Sequence, residues 1–467
     1  MSKTAAFSLK LAALAMAILC LVSLWRVIAV IWLPLPLDPN EGWNAYHAAA
    51  AMAGSPLYPG PHSFMVNNYP PLSFYLVGAL GRILGDNIIA GRIISLVSLG
   101  VFACGLFVAA RRMGCKQIEA AFSSLFFVGG MLVFTDYVGM DDPQMLAHAV
   151  AIVGFVMLLH EPRQTSRIAA AAIMFVLAAF VKHNVIVMAL AITGWLALFD
   201  RRAGLRLAVF GIVFALVGLA LFRLSYGINL LAVLDSARTY TLDNFRDGLE
   251  NWLRWALVPL LGVSTLVYLR SSDRYVQLCG IYAGIGVVLG ACFLAGTGVD
   301  ANVMFDADIA LALGSALLFN RFDHRVWAAV VGLAAAASLF IAAWLNAGDD
   351  WRNFDAWLHP MRHEAQVAQS DIAFLELRRG PALCEMQSLC YWAHKPAAVD
   401  VFNIGEQFET GARSDEPIVE LIEAHSFAVI QFDPDSPYSL GENVHNAVAR
   451  TYRLHHEDEY GSFYVPR

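Results

Sequence analysis

Charge is what this sequence has least of. Asp, Glu, Lys and Arg make up 15% of 467 residues, 58% are hydrophobic, and the mean hydropathy is +0.57. Soluble domains carry about 25% charged residues, so a soluble globular protein of this size is excluded. A basic excess is also missing: 31 Lys and Arg stand against 38 Asp and Glu, for a formal net charge of -7. That balance gives no footing for nucleic acid. No lipobox-like run precedes Cys20, no internal repeat is visible, and neither His183 nor Asn302 has a metal-ligand spacing of useful specificity. What the chain has instead is a series of long apolar segments, the pattern of an all-α polytopic membrane protein.

Lys3 and Lys10 lead into an apolar stretch from Leu11 to Leu33, long enough to be a retained first span rather than a cleaved signal. Arg26 lies inside it, either snorkelling outward or paired with a phosphate or carboxylate. Further spans are expected near 88–110, 119–134, 145–160, 168–181, 185–199, 206–228, 256–270, 275–296, 304–320 and 325–345, about 11 in all. Those at 168–181 and 185–199 are short for crossing alone. Five alternate connectors, beginning at Arg111, His160, Asp200, Arg270 and Asn320, are basic, which places them in the cytoplasm together with the N-terminus. The other set, including the first loop 34–87, then faces the periplasm or exterior. Asp38, Glu41, Asp136, Asp141, Asp142, Lys182 and Asp300 all fall on that side.

The long apolar runs stop near Asn346. The expected division is a membrane domain over 1–345 and an exported, small α/β domain over 346–467, with strands at ALCEM, AAVDVF and FAVIQF and a helix at IVELIEAH. Of seven cysteines, five lie in or beside membrane helices as inert thiols. Cys384 and Cys390 lie in the exported domain, where a disulfide is permitted and spacing alone does not decide it.

The stretch DPNEGWNAYHAAAAMAG has the form of a capped helix: Asp38 as N-cap, Pro39 at the first helical position, Glu41 at the third and Gly54 as the stop. It is expected to lie along the membrane surface. Capping does not need a carboxylate, because Ser and Thr serve as well; capping alone and capping plus chemistry are the two readings. Asp142-Pro143 offers the same pair of readings. Lys182, squeezed with His183 and Asn184 between two apolar spans, is a cation at membrane depth and a candidate phosphate ligand, or a snorkelling Lys. Arg223 and Arg238 are further phosphate candidates; Asn302 and His183 rank below them.

The acidic helix, Gly54-Ser55-Pro56-Leu57-Tyr58, then Tyr69-Pro70-Pro71-Leu72 with a downstream Gly-Arg, follow one another in an order that resembles the first exported loop of the GT-C membrane glycosyltransferases. The branch with lipid A aminoarabinose transferase and protein O-mannosyltransferases is the most similar. TDYVGMDDPQ, FVKHNV and GTGVDANVMFDAD resemble later segments of the same group, so the resemblance runs to about residue 320. Where a Lys usually precedes Pro-Pro, this chain has Asn68-Tyr69.

The resemblance implies an inverting transferase that moves a sugar from a polyprenyl-phosphate carrier to a lipid, protein or glycan acceptor at the outer face of the inner membrane. It implies catalytic roles for Asp38 and Glu41, with substrate-binding roles for Asp141, Asp142, Lys182, Tyr69, Arg223 and Asn302. A divalent metal, Mg or Mn, shared by Asp38 and Glu41 is the cofactor reading. A membrane transporter and a non-catalytic scaffold that binds lipid-linked sugar are the rivals. A transporter is expected to put ionisable groups near the bilayer midplane in repeated halves, whereas here they stand at loop edges.

Overall fold

In the computed structural model, residues 3–160, 164–321, 325–346, 354–433 and 439–467 are described. The membrane part comprises α1 (Lys3–Val30), α2 (Pro39–Ala53), α3 (Leu72–Leu84), α4 (Asn87–Arg112), α5 (Gln117–Phe134), α6 (Gln144–His160), α7 (Thr165–Val181), α8 (Val187–Phe199), α9 (Arg201–Tyr226), the short α10 (Leu230–Leu234), α11 (Leu242–Leu269), α12 (Arg274–Leu294), α13 (Phe305–Arg321) and α14 (Arg325–Asn346). A helix stands at each expected span. Among the described residues, seven helical segments are long and apolar enough to cross a membrane alone. The protein is a multi-pass membrane protein.

α13 runs through the middle of the bundle, and every residue from Phe305 to Phe319 is buried. Its two carboxylates are satisfied there: Tyr282 donates to Asp306 at 2.6 Å and Trp252 donates to Asp308 at 2.7 Å. At one end of the bundle the basic connectors meet. Arg321 donates to the Met113 carbonyl at 2.7 Å and to Asp273 at 2.9 Å, so three of these connectors form one surface. Residues 161–163 of the connector from His160 and 322–324 of the connector from Asn320 lie outside the described residues.

The loop 34–87 contains two helices, and Gly85, at φ +85°, ends α3 before Asp86 caps α4. One expectation changes here. α11 begins at Leu242, well before the expected 256. Its first turns read as a polar loop, LDNFRDGLENW, yet Thr241 caps them and Leu249, Trp252 and Leu253 pack into the core at helical spacing.

The C-terminal part comprises α15 (Phe354–Leu358), α16 (Arg362–Glu376), β1 (Ala382–Cys384), α17 (Gln387–Trp392), α18 (Val401–Glu409), α19 (Glu416–Glu423), β2 (Val429–Phe432), α20 (Glu442–Thr451), β3 (Tyr452–Asp458) and β4 (Gly461–Pro466). The sheet order is β1-β2-β4-β3, with β1 and β2 parallel and the rest antiparallel. The strands at ALCEM and FAVIQF are in place. AAVDVF is not a strand: Asp400 accepts from the Asn403 amide and starts α18 instead. The hairpin of β3 and β4 completes the sheet. Cys384 and Cys390 are disulfide-bonded, joining the end of β1 to α17. The expected boundary at 346 abuts residues 347–353, which lie outside the described residues.

α2 holds the two parts together. It does not lie free on a surface: Glu41, Gly42, Trp43, Asn44, Ala45, His47 and Ala48 are buried. α2 packs against α3 and α4 on one side and α17 on the other. Trp43 Nε1 donates to Asp400 at 3.0 Å, Tyr46 donates to the Lys395 carbonyl at 2.9 Å, and Trp392 donates to Asp86 at 2.8 Å.

Candidate active site

Opposite the basic connectors, a cavity of about 370 Å³ opens between the helix ends and the C-terminal domain. Its walls come from Pro39, Asn40 and Trp43 of α2, Asn68 and Tyr69 of the following loop, and Tyr137. Lys182, His183 and Asn184 come from the α7–α8 link, Arg238 and Asn302 from two further connectors, and Gln387, Asp400 and Asn403 from the C-terminal domain.

Asp38 caps α2 at this rim. Its Oδ1 accepts from the Asn40 amide and from Asn40 Nδ2, both at 2.7 Å. Burial pushes its carboxyl up to about 6, helped by the nearby Glu41 and Asp142 and opposed by the Asn40 donors. A carboxylate that titrates near neutrality suits proton acceptance.

Glu41 has a different setting. Its side chain is fully buried and accepts from Arg92 Nε at 2.7 Å and Arg92 Nη2 at 2.6 Å, with the Leu37 and Asp141 amides each at 3.1 Å. Arg92 also gathers the carbonyls of Val30, Ile31, Leu33 and Leu35. All the acceptor capacity of Glu41 is engaged, and it does not line the cavity. Asp141 lies beside it, buried, with its carbonyl accepting from Asn44 at 2.7 Å. Burial first, then Glu41 and Asp142, raise its carboxyl well above the ordinary range.

Asp142 and Lys182 form a second buried pair, with Nζ 2.8 Å from each carboxylate oxygen. Lys182 Nζ also sits 4.9 Å above the Tyr69 ring and 5.8 Å from the Tyr137 ring. The Tyr69 ring in turn packs edge-on to Trp43 at 5.0 Å. Arg238 reaches the same cavity, held by the Thr297 carbonyl at 2.7 Å and lying over Phe402 at 4.9 Å. Glu406 of α18 fixes that connector by accepting from the Thr239 amide at 2.7 Å.

The cavity thus brings together Tyr69, Lys182, Arg238 and Asn302, with Asp38 at its edge. It leaves out Arg223, which is exposed in the last turn of α9, and Asp141, which is buried behind α2. Metal-ligand geometry is not present at Asp38 and Glu41: Glu41 is neutralised by Arg92, and the neighbouring Asp142 by Lys182. No step is therefore routed through a metal there.

Sequence reasoning missed the contribution of the C-terminal domain. Asn68 donates to Asn403 at 3.1 Å, and Asn403 donates to Asp400 at 2.7 Å, so the two parts share one polar wall. Several polar atoms of this cavity are buried without a partner among the described residues: His183 Nδ1, Asn184 Oδ1 and Gln387 Oε1. Such atoms are costly unless a ligand or water completes them.

The family model described as dolichyl-phosphate-mannose-protein mannosyltransferase matches residues 68–226. ArnT from Cupriavidus metallidurans, in a crystal structure bound to undecaprenyl phosphate, superposes with a TM-score of 0.63 at 13% identity, covering 97% of both chains. The fold is that of the GT-C membrane glycosyltransferases. The apo form of the same ArnT gives a TM-score of 0.62 at 13% identity, again over 97% of each chain. The oligosaccharyltransferase AglB from Archaeoglobus fulgidus, in complex with an inhibitory peptide and a dolichol-phosphate, gives 0.52 at 12% identity over 97% of this chain and 74% of its own. No curated protein matches the chain in sequence. At these identities the likeness carries architecture, and the chemistry has to be argued from the cavity.

Proposed function

We propose that the protein is a membrane glycosyltransferase that uses a polyprenyl-phosphate sugar. The observation that carries this reading is that, in a GT-C fold, two cations, Lys182 and Arg238, line one cavity with Asp38, a carboxyl raised to about 6, at its rim. The lipid phosphates named with ArnT and AglB support the choice of donor. The placement of basic connectors at the far end supports a cytoplasmic N-terminus and an exported cavity and C-terminal domain in the inner membrane.

In the reaction, an acceptor hydroxyl oxygen attacks the anomeric carbon while its proton passes to the Asp38 carboxylate. The bond from the anomeric carbon to the phosphate oxygen breaks, and its electron pair leaves with the phosphate, inverting the centre. Lys182 and Arg238 stabilise the charge that develops on that leaving group. Asn403, Gln387 and Asn184 offer hydrogen bonds to sugar hydroxyls, and Tyr69 and Trp43 offer ring faces. Glu41 and Asp141 are positioning residues behind α2, where Arg92 fixes the turn that presents Asp38.

Purified protein in lipid, incubated with a panel of radiolabelled polyprenyl-phosphate sugars and membrane extract, tests the proposal. Donor cleavage with transfer to a lipid, protein or glycan, lost in Asp38→Asn, is the expected result. No cleavage of any donor by the folded protein, with donor still bound, would identify a non-catalytic scaffold; uptake of a solute into vesicles instead would identify a transporter.

A further inference from the structure

On the other side of the C-terminal domain from β1, helix α16 meets the outer hairpin, and three side chains converge: Asp371, His456 and Asp458. Their ligand atoms all lie within 4.8 Å of one another. His456 Nε2 is 3.0 Å from Asp371 Oδ1 and 3.5 Å from Asp458 Oδ2. In a tetrahedral site with 2.0–2.2 Å bonds, donor atoms stand about 3.4 Å apart. The observed separations therefore need little contraction around an ion.

Charge makes the arrangement unfavourable as it stands. Asp371 is 2% exposed, its Oδ2 has no hydrogen-bond partner among the described residues, and a carboxylate oxygen of Asp458 lies within 4.8 Å of one of its own. Two carboxylates so placed do not both stay ionised without a cation or a shared proton between them. The strand pairing is adjusted to make the cluster: β3 slips register between Leu454 and His456. A bulge of this kind re-aims a side chain, and here the re-aimed residue is the one that faces both acids.

The rest of the surroundings orient the donors. The Tyr460 amide donates to Asp458 Oδ1 at 2.9 Å, which leaves Oδ2 for the cluster. The His456 ring stacks on Phe463 at 4.4 Å, and its Nδ1 is 3.0 Å from His455 Nδ1, so its Nε2 is held toward the carboxylates. His456 and Asp458 are 30% and 22% exposed, enough for an ion to enter and to keep a water ligand.

We propose that Asp371, His456 and Asp458 bind one divalent transition-metal ion, of which Zn²⁺ is the best match to one imidazole and two carboxylates. The ion ties α16 to the outer hairpin. Both contribute to the apolar core against which Leu33, Leu35 and Leu37 pack, immediately before Asp38. The site is structural and separate from the transfer chemistry, so it stands whether or not the proposed reaction does.

The test uses full-length protein in lipid nanodiscs, stripped with chelator and dialysed. Zn²⁺ titration by calorimetry, metal content by mass spectrometry and the unfolding midpoint are measured for wild type, His456→Ala, Asp371→Asn and Asp458→Asn. The expected result is one equivalent of Zn²⁺ per chain, a midpoint that rises with added Zn²⁺, and affinity lower in each variant by more than the roughly 10–100-fold that loss of a residue merely supporting a ligand costs. Co²⁺ in place of Zn²⁺ should give a visible absorption band that His456→Ala abolishes. Zn²⁺ retained equally by all three variants overturns the proposal. So does the absence of stoichiometric binding of Zn²⁺ and Mn²⁺ to folded wild type, which would leave a shared proton as the charge between the acids.

Discussion

Glu41 and Arg92, fifty-one residues apart, form a buried bidentate ion pair with Nε–Oε1 and Nη2–Oε2 distances of 2.7 and 2.6 Å. Breaking a buried pair leaves one charge without compensation and costs about 3–5 kcal/mol. Glu41→Gln should therefore lower the unfolding midpoint in nanodiscs far more than Asp38→Asn does. A Glu41→Gln protein as stable as wild type but inactive would instead move Glu41 into the chemistry.

Asp38→Asn should keep the fold, because Asn caps a helix about as well as Asp. It should lose transfer by about 10²–10⁴-fold, the usual contribution of a general base. The pH profile follows from the sign: the carboxylate is the active form and its carboxyl sits near 6, so transfer falls as pH drops through about 6. An acid limb centred at the ordinary carboxylate value, near 4, would count against Asp38 as the base.

Lys182→Met alone leaves Asp142 buried without its partner, at a cost of about 3–5 kcal/mol. The double variant Lys182→Met, Asp142→Asn removes both charges and should recover most of that stability. If Lys182 receives the leaving phosphate, the double variant remains inactive although folded. Comparing unfolding midpoints with donor-cleavage rates separates the two roles.

Gly42 faces α17 so closely that an added Cβ would overlap the backbone at Gln387 and Ser388. Gly42→Ala should destabilise the protein by about 1–3 kcal/mol and displace Gln387 from the cavity wall, raising KM more than it lowers kcat. Gly60→Ala, where an added Cβ meets open space, is the control and should leave both unchanged.

Local signals were legible in the sequence and long-range partners were not. Asp38, Pro39 and Gly54 announce α2 within one short stretch, and the structure has that cap and that stop. The helices of the bundle follow from apolar runs, and the basic connectors from their charge. The setting of Glu41 depends on Arg92, whose side chain turns inward from an apolar helix, and nothing in the local pattern of α4 states that direction. The cavity-facing side of Asp400 was hidden for a related reason. Val399-Asp400-Val401 alternates like a strand, and only the cap on Asn403 and the bond from Trp43 give the aspartate its place. The polar first turns of α11 are read as a loop until the buried face of Trp252 is seen.

The bond between Trp43 and Asp400 joins positions 357 residues apart. A ribosome adding about 5–20 residues per second needs roughly 20–70 s to make that length. Throughout that interval α2 has left the ribosome while Asp400 and the Lys395 carbonyl, which accept from Trp43 and Tyr46, do not yet exist. The unfinished chain has the membrane helices but not the cavity that they share with the C-terminal domain. A truncation that spares every membrane helix but stops before residue 382 would leave α2 in that unfinished state permanently, so the last fifth of translation is what closes the cavity.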